Sequence, residues 1–242
     1  MVVETVLFDL DDTLFDHRYA RLAALRSVRA VQPELARFPL TELDRTSERI
    51  LAEVHLSRVL TGELSLEDSR VLRMTRFLTE FGVDAGKREI RKLMRLRQAT
   101  YRRHRRAVPG ASSLLRFLQA SGTTVVVVSN NLRAEQEEKL RVTGLDSGVD
   151  LLVCSEQVGV TKPDPRIFRV ALAEANTRPE QAVMVGDSWE TDVVGAAAVG
   201  IRPVWLNRDA ALRPAGPRVA ELRSFRPLAR ASAVILGRRR AR

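Results

Sequence analysis

Cysteine is nearly absent from this 242-residue chain: Cys154 stands alone. An intrachain disulfide framework and a zinc site built on several cysteines are therefore excluded. Long hydrophobic runs are also missing. No stretch of about 18 uncharged apolar residues occurs, so no membrane-spanning helix is expected. Aromatic residues make up only 5% of the chain. The amino-terminal stretch MVVETVLFDLDD meets acidic residues too early for a secretory signal, and the expected compartment is the cytoplasm. Lysine is scarce, with 4 residues against 36 arginines. An arginine bias of this kind can follow from genomic base composition alone.

What is present is a globular composition. Apolar residues make up 45% and charged residues 29%, and the formal net charge is +10. The charge is uneven. Residues 15–107 hold 21 basic and 12 acidic residues, and their densest basic run is Arg91–Arg106. Such a run suits a solvated helical face, an anionic small molecule or nucleic acid. Only Tyr101 interrupts it, too few aromatics for a base-stacking platform. The tail Arg238, Arg239, Arg240 and Arg242 reads as a frayed terminus.

Short apolar runs at Val2–Phe8, Thr124–Val128, Leu151–Cys154, Ala182–Val185 and Pro203–Leu206 predict buried parallel strands. Helical patterns alternate with them. Ala111–Ser121 stops at Gly122, Arg133–Thr143 at Gly144 and Glu190–Val199 at Gly200. Asp164 and Pro165 read as the cap and first residue of a helix over Arg166–Ala175. The alternation predicts an α/β fold with a doubly wound, Rossmann-like parallel sheet. From Leu14 to Thr124 the pattern changes. Apolar residues recur at three- and four-residue steps over Tyr19–Val31, Glu42–Leu60, Leu66–Phe81 and Arg88–His104. Residues 15–107 are thus expected to form an inserted helical domain, set over the end of a core made of residues 1–14 and 108–242.

The chemistry-bearing residues fall at the expected carboxyl ends of strands. Asp9 and Asp11 follow the first strand. On an extended chain, residues two apart share a face, so the pair is expected to address one site. Close carboxylates repel unless a cation or proton intervenes, and a hard divalent ion suits oxygen ligands. The alternative is an ordinary turn of capping acids. Ser129, Asn130 and Asn131 follow the second strand, where a hydroxyl and free N–H groups suit phosphate oxygens. Lys162 and Pro163 follow the third, with Lys162 a compact positive charge. After the fourth comes Gly186-Asp187-Ser188-Trp189-Glu190-Thr191-Asp192. Asp187 is a candidate metal ligand with Asp9. Asp192 either orients a neighbour such as Lys162 or caps its own helix.

Taken together, Phe8-Asp9-Leu10-Asp11-Asp12-Thr13-Leu14, Ser129-Asn130, Lys162-Pro163 and Gly186-Asp187 through Asp192 resemble the four motifs of the haloacid dehalogenase superfamily of phosphohydrolases. The helical insertion is similar to that family's C1-type cap. The resemblance implies a phosphatase in which Asp9 is the nucleophile and forms a phospho-aspartate. It implies that Asp11 protonates the leaving alkoxide and then activates water. Mg²⁺ would be held by Asp9, the main-chain carbonyl of Asp11 and Asp187. Ser129, the backbone of Asn130 and Lys162 would hold the phosphoryl group, with Asp192 behind them. Asn131 departs from the pattern, since the second motif often continues with Gly. The second acid, Asp11, favours a phosphate ester over a haloacid, because a departing halide needs no proton. The stretches around Lys162 and Asp187 look most like the pyrimidine 5′-nucleotidase and N-acylneuraminate-9-phosphatase branches. The expected partner is a small phosphorylated molecule rather than nucleic acid or a membrane, and the expected state of the chain is a monomer or homodimer. A phosphomutase, a dehalogenase-type hydrolase and a nucleic-acid-binding protein are the alternatives.

His17, His55 and His104 share no metal-ligand spacing and are expected on helix surfaces. Cys154 ends a strand and reads as core. Asp16 and His17 open the insertion, as hinge, helix cap or pocket mouth. Trp189 reads either as a substrate contact or as packing.

Overall fold

The computed structural model describes residues 2–216 and 219–237, without the side chains of Leu56 and Ser57. The arginine tail lies outside the described residues. The described chain forms two compact units, one of Met1–Asp16 with Arg106–Arg242 and one of His17–Arg105.

The first unit is built on a parallel sheet. Its strands are β1 (Thr5–Phe8), β2 (Thr124–Ser129), β3 (Leu151–Cys154), β4 (Ala182–Gly186), β5 (Arg202–Leu206) and β6 (Ala220–Leu222). Their order across the sheet is β3-β2-β1-β4-β5-β6. Leu7 pairs with Val126 on one side and with Met184 on the other. These three join Ile167 and Phe168 in one buried cluster, while Phe8 alternates to the other face and meets Phe225 edge-on at 6.3 Å. Because helices cover both faces, the central strands read as unbroken apolar runs. Full burial of a side chain such as Phe8 contributes about 2–3 kcal/mol. The chain moves outward from β1 to β2 and β3, then returns to lay β4 beside β1. This reversal opens a crevice beyond the carboxyl ends of β1, β2 and β4.

Three expectations need adjusting. The first strand is shorter than Val2–Phe8: it begins at Thr5, Val2 is exposed, and Glu4 bonds Gln181 and Thr124 through its main chain and Gln181 again through its carboxylate. The strand β6 was not expected: it has three residues with a glutamate in the middle, so it offers no apolar run. The helix expected over Glu190–Val199 begins instead as a π-type turn, Trp189–Val194, before one α-turn at Gly195–Ala198. Val193 N–H reaches back five residues to Ser188 O at 3.3 Å.

The helix Pro165–Glu174 starts as expected, with the Asp164 side chain accepting from Arg166 N–H at 2.9 Å. At the point of insertion the two chain crossings run side by side. Asp16 N–H donates to Arg106 O at 3.0 Å, and Val108 N–H to Leu14 O at 2.8 Å. Phe15 and Ala107 form an antiparallel bridge between them. The buried Asp16 carboxylate accepts from Arg106 at 2.7 Å and from Arg208 at 2.9 Å, the work of a clasp at the neck.

The second unit is helical. Helices run over His17–Val31, Pro33–Ala36, Leu40–Val54, Leu66–Glu80 and Lys87–Arg103, and a π-type turn at His55–Val59 extends the third. Their inward stripes form a core of their own around Leu25, Leu43, Ile50, Phe77 and Leu93. Ser65 caps the fourth helix by accepting from Asp68 N–H. Arg97, within the basic run, turns inward and donates to Ser47 Oγ at 2.5 Å. Burial pushes its guanidinium down to about 10. Arg91, Lys92, Arg95, Arg102 and Arg103 are exposed, as a solvated face requires. His17 Nδ1 lies 2.8 Å from Tyr101 Oη, and His104 Nδ1 lies 2.8 Å from Thr100 O.

Candidate active site

Asp9 is the first residue past β1, and its N–H donates to Val185 O of β4. Its carboxylate is 2.6 Å from Lys162 Nζ. Lys162 also donates to Asp192 Oδ1 at 2.7 Å, so one ammonium bridges two acids from different elements. The second Asp192 oxygen accepts from Ser188 N–H at 3.1 Å. Both Asp192 oxygens are thus engaged, one by Lys162 and one by Ser188. Gly186 makes that placement possible, because a Cβ there would lie 2.4 Å from Asp192 Cβ.

Asp187 follows β4 directly. The buried Thr13 hydroxyl donates to Asp187 Oδ1 at 3.2 Å and accepts from Asp187 N–H at 3.1 Å. Trp205 Nε1 donates to Asp187 O at 2.8 Å. Asp9, Asp187 and Asp192 bring one oxygen each to within 4.8 Å of one another. Burial pushes the Asp9 carboxyl up to about 7; Lys162 opposes this, while Asp192 and Asp11 add to it. Burial, then Asp9, Asp192 and Asp12, push Asp187 well above the usual carboxylate range. For Lys162, burial alone would lower the ammonium, but Asp192 and Asp9 together raise it above its ordinary value. Three carboxylates stand around one lysine, which is bonded to two of them, and the remaining negative charge with its oxygen-only donors fits a hard divalent cation.

Asp11 and Asp9 do not share a strand face, on which the expectation that they address one site was based. β1 ends at Phe8, so the two acids lie on a loop rather than on one strand face. The loop is tight: Leu14 and Phe15 both donate to Leu10 O, and Asp12 takes a left-handed φ of 63°. Asp tolerates that conformation better than most residues. Asp11 meets instead Lys139 and Gln136, on the helix Arg133–Thr143. Neither was expected from the sequence. Both lie on that helix's buried side, and the scarcity of lysine, with 4 in the chain, was the signal the sequence offered for Lys139.

Ser129 ends β2, buried, and its Oγ accepts from Gln136 Nε2 at 2.5 Å. The Asn130 side chain does not face outward to a ligand. Its Oδ1 accepts from Lys162 N–H at 2.6 Å and its Nδ2 donates to Lys162 O at 2.9 Å, fixing the Lys162 backbone from both sides. Asn131 turns its Oδ1 to Leu132 N–H at 2.8 Å at the start of the next helix. Cys154 is buried and burial pushes its thiol up to about 12, which leaves it inert. Trp189 packs edge-on against Trp205 at 5.1 Å.

Among the described residues no helix is long and apolar enough to cross a membrane. Comparison with known proteins places the chain. It is 31% identical over 215 residues to the glyceraldehyde 3-phosphate phosphatase of Methanothermobacter thermautotrophicus, covering 86% of this chain and 87% of that enzyme. It is 39% identical over 110 residues to the pyrimidine 5′-nucleotidase YjjG of Escherichia coli, covering 45% of this chain and 48% of that one. Some alignments thus span about half of the curated relative's length and others most of it. A crystal structure of a HAD phosphatase from Thermococcus onnurineus superposes with a TM-score of 0.60 at 26% identity, covering 97% of this chain and all of that one. The family model for haloacid dehalogenase-like hydrolases matches residues 3–200. With its sheet order, its acid cluster and this match in agreement, the chain belongs to the haloacid dehalogenase-like hydrolase family.

Proposed function

We propose that this hydrolase is a Mg²⁺-dependent phosphatase that cleaves a small phosphate monoester through a phospho-aspartate on Asp9. The observation that carries this reading is the pairing at the strand ends. Asp9 and Asp11 stand on one loop, each against its own buried lysine, Lys162 and Lys139. One acid is thereby set up as nucleophile and the other as proton carrier, without competing for one partner.

Asp9 attacks phosphorus as the ester P–O bond breaks, and Asp11 delivers a proton to the leaving oxygen. Asp11 then takes a proton from the water that attacks the phospho-aspartate, which releases phosphate and restores Asp9. Lys162 places positive charge beside the forming bond. Ser129 and the main chain of Asn130 donate to phosphoryl oxygens. Asp9, Asp187 and the Asp11 carbonyl would hold Mg²⁺, which when bound neutralises charge on the phosphoryl oxygens. Asp192 keeps Lys162 aimed. We assign selection of the leaving group to the helical cap domain, within residues 15–107. The named activities of the relatives range from a triose phosphate to a pyrimidine nucleotide, so the reading extends to nucleoside monophosphates and small sugar phosphates.

The test is phosphate release from nucleotides, sugar phosphates, phosphorylated hydroxy acids and an aryl phosphate. Each is run with Mg²⁺, with chelator and with Asp9→Asn. Release that needs Mg²⁺ and vanishes in Asp9→Asn is the expected result. No release from any ester by folded, Mg²⁺-loaded protein overturns the reading.

A further inference from the structure

Gln136 and Lys139 stand three residues apart on the helix Arg133–Thr143, so their side chains leave one face. Both reach the same carboxylate. Lys139 Nζ is 2.6 and 2.7 Å from the two Asp11 oxygens, and Gln136 Nε2 donates to Asp11 Oδ2 at 3.0 Å. Both are buried, Gln136 wholly and Lys139 with 5% of its surface exposed. Burying two long polar side chains costs rotamer freedom and hydration. An exposed ion pair would stabilise the fold as well at less cost.

The amide adds a second link. Gln136 turns its NH₂, not its oxygen, toward Asp11. The other N–H of that NH₂ then meets Ser129 Oγ. With its oxygen accepting there, the Ser129 hydroxyl keeps its own proton to give elsewhere. One helix thus fixes the acid and the phosphate-binding hydroxyl as a unit.

We propose that Lys139 and Gln136 are positioning residues for the reaction, holding the Asp11 carboxylate and the Ser129 hydroxyl at the angle from which the ester oxygen is protonated and the water deprotonated. The inference rests on the reading of Asp9 as nucleophile and Asp11 as proton carrier. The role assigned is orientation. Asp11 gives its proton to the leaving oxygen as the Asp9–phosphorus bond forms, and recovers one from the attacking water as that bond breaks.

Leaving-group dependence tests this. An alkyl phosphate needs a proton on its departing oxygen, whereas 4-nitrophenyl phosphate leaves without one. In Lys139→Met, kcat for the alkyl ester is expected to fall tenfold or more, a share of the 10²–10⁴ a positioned acid or base contributes. KM should change less than threefold. Rapid mixing with the nitrophenyl ester should still show a first-turnover burst near the wild-type rate, followed by slow turnover. Lys139→Arg should recover most of the loss. Asp11→Asn combined with Lys139→Met should be no slower than Asp11→Asn alone, because both changes disable one device. If Lys139→Met fails to fold, Gln136→Met carries the same comparison.

Equal slowing of the first turnover with both esters, additive losses in the double variant, or an alkyl-ester kcat within twofold of wild type overturns the inference. If wild type hydrolyses no ester, or Asp11→Asn is as fast as wild type, the underlying assignment has failed and the inference falls with it. The Asp11→Asn control thus separates the two failures.

Discussion

Replacing Lys162 by Met removes the one positive charge between Asp9 and Asp192 while keeping most of the side-chain volume. The Lys162 side chain is 2% exposed and that of Asp192 is 1% exposed. Breaking a buried pair by removing one partner typically costs about 3–5 kcal/mol, because the other charge stays buried without compensation. Two acids are left behind here, so the loss belongs at the upper end at pH 8 in chelator. Acidification provides a way out. The Asp9 carboxyl can take up a proton and become neutral. Its folded pKa, raised by burial to about 7, lies above the unfolded value, so the stability it contributes is greatest at low pH and is lost as pH rises through the folded pKa. The deficit of Lys162→Met relative to wild type should therefore shrink at pH 5.5. Urea unfolding followed by circular dichroism, at both pH values with and without Mg²⁺, measures all of this. A cation that binds only the folded state adds about 2.7 kcal/mol at a hundred times its dissociation constant. That gain should appear in wild type. A Lys162→Met protein within 1 kcal/mol of wild type at pH 8 in chelator would falsify the reasoning, because the acids would then be neither buried nor charged as described.

Three further outcomes are expected. Metal-free wild type should itself lose stability as pH rises from about 4 toward 7, since Asp9, raised from 3.8 to about 7, holds a proton that the unfolded chain has released. Saturating Mg²⁺ should flatten or reverse that slope in unfolding curves, and an unchanged slope would count against a cation at the acids. Gly186→Ala should lose activity and about 1–3 kcal/mol of stability, because the new methyl would sit 2.4 Å from Asp192 Cβ and force it off Lys162. A fully active, equally stable Gly186→Ala protein would show that Asp192 does not need its place. Thr13→Val should raise the Mg²⁺ concentration needed for half-maximal activity several-fold, because it removes the hydroxyl that holds Asp187; an unchanged Mg²⁺ dependence would refute that.

The sheet was legible because its strands are buried on both faces, so they stand out as valine-rich runs between glycine-ended helices. Asp9, Lys162, Asp187 and Asp192 were legible for a related reason. Parallel strands end together, and residues that follow them converge. Partners contributed by helices were not legible. Gln136 and Lys139 sit inside an ordinary amphipathic pattern, and nothing local separates a buried lysine from one that lies along the surface. The geometry of Asp11 was hidden because strand periodicity was carried past the end of the strand. Asn130 shows a different limit. Turn chemistry marked the position but did not reveal that its amide would grip the Lys162 backbone 32 residues away.

The neck at Asp16 and Arg106 has a consequence for how this protein can vary. The chain leaves the sheet unit and re-enters it through two crossings already hydrogen-bonded to each other. Closing a longer loop between fixed ends costs only about 0.6 kcal/mol per doubling of its length. The residues between 16 and 106 are then, to the sheet, a loop of arbitrary content. Helices there can be lengthened, exchanged or remade while the sheet unit keeps its closure. The inserted unit and the sheet unit become separately variable parts of a single chain.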